Sequence, residues 1–207
     1  MRVAALTGSL RAASTNTAFL RELARSAPAG IEVELHERLA EIPPFDPDRD
    51  PFHPPSADRH GTGSPGCAGD EALAALADLV RGADAVVVAC PEYAGGLPGA
   101  FKNALDHLVG TDAFAGKPFA HHNLSPRASL AQASLATVLA TMGGTRVNDA
   151  CLTLELSGAP LAPGAMARDA ALLDAVRGSL EALAKAVRGT RDSALPIART
   201  NPGRPAP

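Results

Sequence analysis

The chain has 207 residues, the length of one domain with a core of ordinary size. Its formal net charge is −3 and 3% of its residues are aromatic, so neither a basic field nor stacking rings favour nucleic-acid binding. No apolar run approaches the roughly 20 residues that span a membrane, and the amino terminus lacks a signal-peptide layout. The three cysteines fit neither a disulfide framework nor a zinc site. We therefore expect a cytoplasmic protein that binds neither nucleic acid nor membrane.

The chain opens with an apolar run and a polar loop. Val3 to Leu6 predict a strand buried on both faces. Gly8 ends this run, and from Ala18 apolar residues recur at helical spacing. A helix N-terminus leaves backbone N–H groups unpaired and carries about +0.5 charge, so it favours an anion. The hydroxyls and the guanidinium of the loop are natural donors to phosphate, and the candidate residues are Ser9, Arg11, Ser14, Thr15, Asn16 and Thr17.

A second interpretation of this loop stays open. Ser14 or Asn16 is an ordinary N-cap, so the loop can also be a polar turn before a helix. The sequence does not match the Walker loop, because no Gly-Lys-Ser/Thr follows Gly8. It does not match G-x-G-x-x-G, because Leu10 and Ala13 stand where glycines are needed. If phosphate binds here, hydroxyl groups hold it rather than a glycine-rich backbone.

A long irregular stretch follows the second predicted strand. Residues 31–36 alternate apolar and polar side chains, which is typical of an edge strand with one wetter face. Proline recurs through 43–69, and we expect a loop insertion there because proline excludes long helices and central strands. His53 and His60 suggest a metal site with nearby aspartates, but this composition is more typical of a solvated, mobile loop.

Regular patterns return at Asp70. Apolar runs predict strands at 85–90, 117–124 and 151–156. Helical spacing predicts helices at 70–82, from about Pro98, at 129–142 and at 169–188. His121 and His122 fall on opposite faces of a regular strand, which disfavours a shared metal. We predict a domain at 1–189 and a disordered tail at 190–207, where prolines recur with little to bury.

Strands and helices alternate five times, which predicts an α/β fold. We expect a doubly wound, five-stranded parallel sheet with strand order 2-1-3-4-5 and helices on both faces. In this topology ligands bind beyond the carboxyl ends of strands 1 and 3, where the winding reverses. That rule selects the loops after Leu6 and after Cys90, and these two loops also have the unusual sequences.

The loop after Cys90 supplies a tight turn, a ring and a carboxylate. Its glycines allow the backbone to approach a flat ligand closely. The alternative is a surface loop in which an acid lies at a helix N-terminus and a ring packs locally. The candidate residues are Pro91, Glu92, Tyr93, Ala94 and Gly95.

Two segments carry a family resemblance. Residues 8–16, GSLRAASTN, resemble the phosphate loop of the NADPH-dependent FMN reductases, a flavodoxin-like family of quinone, azo-compound and chromate reductases. Residues 91–106, PEYAGGLPGAFKNALD, look like the family's PEYN-G-x-x-P-G-x-L-K-N-A-x-D segment, and the FAGKP turn at 114–118 is also similar. By this resemblance the first loop holds the FMN phosphate and the second lines the isoalloxazine ring.

The chain departs from the family at three places. Ala13 replaces a usual glycine, and Ala94 replaces a usual asparagine. The loop after the fourth predicted strand, SPRASLAQ at 125–132, contains no glycine where the family has several, although Ser125 remains a donor. With the Pro-rich insertion, this loop suggests a changed substrate entrance.

The resemblance implies an FMN-dependent oxidoreductase. It would take hydride from NADPH or NADH and reduce a quinone, nitro, azo or related small acceptor. Because the cofactor carries this chemistry, no side chain need be a nucleophile or a base, and Cys90 is expected to be a buried structural thiol. The family also implies a homodimer or homotetramer. The alternative is a non-catalytic flavoprotein, a nucleotide sensor or electron carrier that acts through a protein partner.

Overall fold

The structure, a computed structural model, describes residues 1–48, 68–156 and 161–193. Most of the predicted insertion, including His53 and His60, lies outside the described residues, as does the chain beyond Ser193. Strands in the described parts are β1 (Arg2–Thr7), β2 (Glu32–His36), β3 (Ala85–Ala89), β4 (Pro118–Asn123), β5 (Thr145–Arg146) and β6 (Leu152–Thr153). Helices are α1 (Thr15–Arg25), α2 (Ala68–Gly82), α3 (Gly99–Leu108), α4 (Ser129–Thr141), α5 (Ala165–Arg168) and α6 (Ala170–Ser193).

All strands pair in parallel in the order β2-β1-β3-β4-β5, and β6 also pairs with β4. The predicted α/β fold and strand order are confirmed. The register places Val3 beside Val33 on one side and beside Ala85 on the other. Because β3 lies in the middle and is buried along its whole length, it consists only of alanine and valine, which pack well in a sheet covered on both faces.

Two apolar layers cover the sheet. Alternate strand residues such as Leu6 and Val88 pack against α2, α3 and α4 on one face. The residues between them, such as Val3 and Val87, pack against α1 and α6 on the other face. The period-2 alternation of a strand produces this division. It leaves the two ends of the sheet, rather than its faces, open to ligands.

The far edge of the sheet differs from its prediction. One strand was expected at 151–156, whereas two short strands, β5 and β6, share this edge with a 3₁₀ turn at Asn148–Ala150 between them. The Val147 N–H donates to the Phe119 carbonyl at 2.8 Å, and the Leu154 N–H donates to the Asn123 carbonyl at 2.7 Å. These bonds continue the pairing with β4 on each side of the turn, so the edge is interrupted but remains parallel.

Helix boundaries also differ from the sequence patterns. α1 begins at Thr15 rather than near Ala18, because the Ser14 hydroxyl accepts the Thr17 N–H at 3.2 Å and caps the helix. α6 continues to Ser193, beyond the predicted domain boundary at 189, and the rest of the predicted tail lies outside the described residues. A hydrogen bond from Thr190 Oγ1 to the Ala186 carbonyl at 2.8 Å belongs to this last turn. Within the described parts of the chain, no helix is long and apolar enough to cross a lipid bilayer.

The first residues of the insertion are fixed against α3. The Asn103 side-chain amide donates to the Pro43 carbonyl at 2.8 Å and accepts the Phe45 N–H at 2.7 Å. His107 Nε2 also donates to the Pro43 carbonyl, at 3.0 Å, and its ring meets the Phe45 ring edge-on. Asn103 belongs to the KNALD segment, so this part of the motif anchors the chain where the insertion begins.

Candidate functional site

A cleft of about 430 Å³ opens at the carboxyl ends of β1, β3 and β4. It is where the winding rule placed a ligand site. Three separate loops reach it, and five predicted residues line it: Thr15, Asn16, Pro91, Glu92 and Ser125. The structure therefore brings the first loop, the second loop and the loop after β4 together.

The close approach of β1 and β3 depends on Gly8. The Gly8 N–H donates to the Ala89 carbonyl at 3.0 Å, which extends the pairing beyond the strands. A Cβ atom on Gly8 would lie 2.5 Å from Cys90 Sγ, closer than any such contact allows. Burial raises the pKa of the Cys90 thiol to about 12, so this thiol stays neutral and serves as packing beside the cleft.

Three of the predicted phosphate residues use their hydroxyl oxygens within the first loop. Ser14 caps α1, as the second interpretation of this loop expected. Thr17 Oγ1 lies 2.9 Å from Thr7 Oγ1, and Ser9 Oγ accepts the Arg11 N–H at 3.4 Å. Ser9, Ser14 and Thr17 are buried, whereas Arg11 is exposed outside the cleft lining. These hydroxyls shape the loop.

The first turn of α1 is open to a ligand. Among the described residues, the backbone N–H groups of Thr15 and Asn16 have no hydrogen-bond partner. Asn16 Oδ1 is also buried and has no partner there. A buried, unpaired amide oxygen is costly and is uncommon in a folded protein. Both observations point to a polar ligand above this turn.

The second loop forms a tight hairpin directly after Glu92. Tyr93 and Gly96 exchange two backbone hydrogen bonds, each 3.1 Å long. Ala94 has φ 51° and Gly95 has φ 73°, the conformation of a type I′ turn. Tyr93, Ala94 and Gly95 lie outside the cleft lining, and Tyr93 is 49% exposed.

Glu92 connects the second loop to α4. Its Oε2 atom accepts the Ala131 N–H at 2.9 Å. Ala128, the N-cap residue of α4, provides no side-chain cap of its own. The alternative interpretation of this loop, an acid at a helix N-terminus, thus applies to Glu92. The helix is α4 from across the cleft, not the adjacent α3, and sequence spacing gives no signal of this contact.

The loop after β4 is built around Asn123. Its side chain accepts the Ser125 N–H at 3.1 Å and donates to the Ala128 carbonyl at 3.3 Å. The Ala128 N–H in turn donates to the Ser125 carbonyl at 2.9 Å. These bonds hold the loop in one turn that contains Arg127. The sequence analysis did not select Asn123 or Arg127 as residues of the cleft. For Arg127 a signal was present, because an arginine stands in a loop where the family has glycines.

His121 and His122 are buried and have different partners. His121 Nδ1 lies 3.9 Å from Cys151 Sγ, whereas His122 Nε2 donates to Ser179 Oγ at 2.9 Å. Ser179 is free to accept this bond because its own hydroxyl donates to the Ala150 carbonyl at 2.6 Å. Among the described residues, no group of three or more His, Cys, Asp or Glu side chains is arranged to hold a metal ion.

A sequence model of the NADPH-dependent FMN reductases matches residues 1–157. The chain belongs to the NADPH-dependent FMN reductase family. A quinone reductase of Escherichia coli K12 is 37% identical over 120 residues, which are 57% of this chain and 56% of that protein. An NADPH azoreductase of Bacillus sp. is 32% identical over 100 residues, 48% of this chain and 56% of that enzyme. The chain therefore spans little more than half the length of these curated relatives.

Solved structures confirm the fold of this family member. The NAD(P)H:acceptor oxidoreductase FerB from Paracoccus denitrificans has a TM-score of 0.64 at 24% identity, covering 91% of this chain and 97% of that chain. An archaeal flavodoxin has a TM-score of 0.53 at 14% identity, covering 90% and 99%. The fold is thus flavodoxin-like, as the resemblance implied.

Proposed function

We propose that this protein is an FMN-dependent oxidoreductase that takes hydride from NADPH or NADH and reduces a quinone, nitro, azo or related small acceptor. The observation that carries the proposal is the cleft itself. It joins the open first turn of α1 to the second loop at the switch point of the sheet. Family membership and the names of the relatives, quinone reductase and azoreductase, support the same reaction class.

The residues of the first loop fit the phosphate and ribityl chain of FMN. The free N–H groups of Thr15 and Asn16 and the positive end of α1 would bind phosphate oxygens. The Asn16 side chain would gain a partner that none of the described residues gives it. Arg11 is exposed, and its guanidinium is a suitable donor to an anion bound at this loop. We assign FMN contact or support to Ser9, Arg11, Ser14, Thr15, Asn16 and Thr17.

The other side of the cleft fits the flavin ring. Bound FMN supplies the hydride acceptor and the electron donor of the reaction. Pro91 and Glu92 line the cleft, and the capping bond from Glu92 to α4 keeps this wall in place. No general acid or base is assigned. The residues that we assign to the ring are Pro91, Glu92, Tyr93, Ala94, Gly95 and Ser125.

Spectroscopy tests this function directly. The purified protein saturated with FMN should be yellow, lose its colour when NADPH or NADH is added without oxygen, and regain it with a quinone. A yellow protein that neither nicotinamide bleaches would instead support the electron carrier or sensor. A protein that binds no FMN would contradict both flavin functions.

Asn16→Ala tests the assigned site. We expect the Kd for FMN to rise roughly tenfold, since a hydrogen bond to a charged or polar ligand is lost. Ser134→Ala, at an exposed position on α4, is the matched control and should leave the Kd unchanged. An unchanged Kd in Asn16→Ala would show that FMN does not contact this turn.

We also propose that the protein is a cytoplasmic homodimer or homotetramer. Leu130 is 60% exposed, and a Cβ on Gly95 would lie 3.4 Å from its Cδ1 atom, so Leu130 borders the exposed second loop. Large exposed apolar side chains of this kind are common at interfaces. Cys90 and Cys151 are free thiols, consistent with a reducing compartment. Sedimentation equilibrium gives the oligomeric state; a monomer at all concentrations would contradict the assembly.

A further inference from the structure

The cleft contains an arginine that the proposed binding of FMN does not use. Arg127 lines it together with Thr15, Asn16 and Glu92. Its side chain is exposed and has no hydrogen bond or ion pair with any of the residues that the structure describes. It is also the only lysine or arginine among the residues that line the cleft.

The charge of Arg127 is not neutralised by the cleft. Among the described residues that line the cleft, Glu92 is the only acidic one, and its Oε2 atom already accepts the Ala131 N–H at 2.9 Å. The carboxylate is also placed at the positive end of α4, where it is favoured. A guanidinium without a counter-ion beside a concave site is suited to an oxyanion from outside, because its planar donors match phosphate, carboxylate and sulfonate.

The backbone that carries Arg127 is held in place. Pro126, directly before Arg127, has its own φ angle fixed by the proline ring. Asn123 bonds both Ser125 and Ala128, and these two residues bond each other, so Arg127 lies inside a closed turn. A residue presented on such a turn loses less entropy when it binds a ligand. The glycine-free loop therefore holds the Arg127 guanidinium at the cleft on a rigid backbone.

We propose that Arg127 is the specificity residue for the second substrate, binding an anionic oxygen group on the molecule that exchanges electrons with bound FMN. The inference rests on the proposed function. That group is either the 2′-phosphate that distinguishes NADPH from NADH, or a carboxylate or sulfonate on the acceptor. The FMN phosphate has its own place at the first turn of α1, next to unpaired N–H groups, which leaves Arg127 for the substrate.

Two substrate pairs that differ in charge test Arg127. Steady-state kinetics of the FMN-loaded protein compare NADPH with NADH, and anthraquinone-2-sulfonate with the neutral quinone menadione. In Arg127→Gln we expect kcat/KM for the anionic member of at least one pair to fall by roughly tenfold, mainly through KM. The member of that pair without the additional phosphate or sulfonate should be unaffected. Arg127→Lys should keep part of the preference, because it keeps the charge but not the planar fork.

The control is Arg177→Gln, at an exposed position on α6, which should preserve both ratios. A fall in the NADPH/NADH ratio identifies phosphate on the reductant, and a fall in the quinone ratio identifies an acidic acceptor. Unchanged ratios in both pairs overturn the inference. A higher Kd for FMN, together with an equal fall in kcat/KM for all substrates, also overturns it, because Arg127 would then bind the cofactor.

A binding measurement separates this inference from the proposed function. Wild type and Arg127→Gln are titrated with anthraquinone-2-sulfonate and with menadione in the absence of reductant, at low and at high salt. If wild type prefers the sulfonate at low salt and the variant does not, the inference holds even for a protein that turns nothing over. NADP⁺ and NAD⁺ are titrated in the same way. If Arg127→Gln keeps the wild-type affinities for both the sulfonate and NADP⁺, the inference is contradicted, whatever the kinetics of the wild type are.

Discussion

Gly8 is the residue on which the meeting of the two main loops depends most directly. Its missing side chain lets the end of β1 pass Cys90 at a distance that no Cβ atom could occupy. The contact includes the Cys90 Cβ at 3.0 Å and Cα at 3.2 Å, so rotation of the thiol does not relieve it. A larger residue at position 8 must therefore separate β1 from β3 at the mouth of the cleft.

We expect Gly8→Ala to lower the free energy of unfolding by about 1–3 kcal/mol, the usual cost of overpacking a tight contact. It should also weaken FMN binding, because both loops move. Urea denaturation and FMN titration measure the two effects. Gly99→Ala is the control: a Cβ there meets nothing within 4 Å, at the first residue of α3. Equal stability of the two variants would contradict the argument.

Ala94 is strained where the family usually has asparagine. Its φ of 51° lies in the left-handed region, which costs a residue with a Cβ roughly 1–2 kcal/mol and which asparagine and glycine tolerate. We expect Ala94→Asn and Ala94→Gly each to raise the free energy of unfolding by about 0.5–1 kcal/mol. Thermal denaturation measures this gain. A lower melting temperature for both variants would mean that the turn is not type I′.

Residue by residue, the site could be predicted only in part. The placement of Thr15, Asn16 and Pro91 on one cleft could be predicted, because a sheet of this winding brings the ends of strands 1 and 3 to one crevice. The bond from Glu92 to Ala131 could not be found, because it depends on the distance between two loops that are far apart in sequence. The sequence allowed Ser14 to be either a phosphate-binding residue or an N-cap. The hydrogen bond from the Thr17 N–H to its hydroxyl shows that it is an N-cap.

At the scale of elements, α4 depends on a residue outside itself. Ala128 and the first turn of α4 provide no side-chain cap and no acidic residue. Glu92 supplies both the acceptor and the negative charge from the second loop. The wall of the cleft and the start of this helix are therefore stabilised by the same contact.

We expect Glu92→Ala to lower the free energy of unfolding by about 1 kcal/mol, the typical value of a lost N-cap. Glu92→Gln should cost less, because the amide oxygen still accepts the Ala131 N–H while the charge is lost. Urea denaturation gives the order of the variants, and hydrogen exchange at Ala131 locates the effect. Glu155→Ala, at an exposed position, is the control. Unchanged exchange at Ala131 in Glu92→Ala would contradict the capping role.

Among the elements, buried strands were predicted better than the edge of the sheet. β3 and β4 follow their apolar runs closely, because both faces of a central strand exclude water and constrain composition. The edge formed by β5 and β6 was predicted incompletely. Thr145 and Arg146 are exposed, so no apolar run marks them. Their pairing is fixed by β4, which a local pattern does not contain.

At the scale of the whole molecule, the β4 strand puts two imidazoles into the protein interior. Burial lowers the pKa of both His121 and His122 from 6.5 to about 4. His122 is fully buried; its Nε2 donates to Ser179, and its Nδ1 has no partner among the described residues. A second proton on this ring would place a charge in the interior, between the sheet and α6, and the loss of hydration there outweighs the support from the Ala150 carbonyl.

The protein should lose stability as the pH falls from about 6.5 to about 4. In this window both histidines bind a proton in the unfolded chain but not in the folded chain. Lowering the pH therefore stabilises the unfolded state relative to the folded state. Below about pH 4 the folded state also protonates and this contribution stops growing. For His122 alone the shift corresponds to about 3 kcal/mol. Urea denaturation at a series of pH values measures the slope.

His122→Phe separates this effect from the carboxylates. Ser179 still donates to the Ala150 carbonyl in the variant, and an apolar ring fills the place beside Phe19. We expect a clearly shallower loss of stability between pH 6.5 and 4 than in wild type. Lowered carboxylate pKa values, such as those of Glu22 and Asp84, act mainly below this window, because their usual values are 4.5 and 3.8. If the free energy of unfolding falls equally steeply with pH in the variant, His122 does not contribute to the loss of stability.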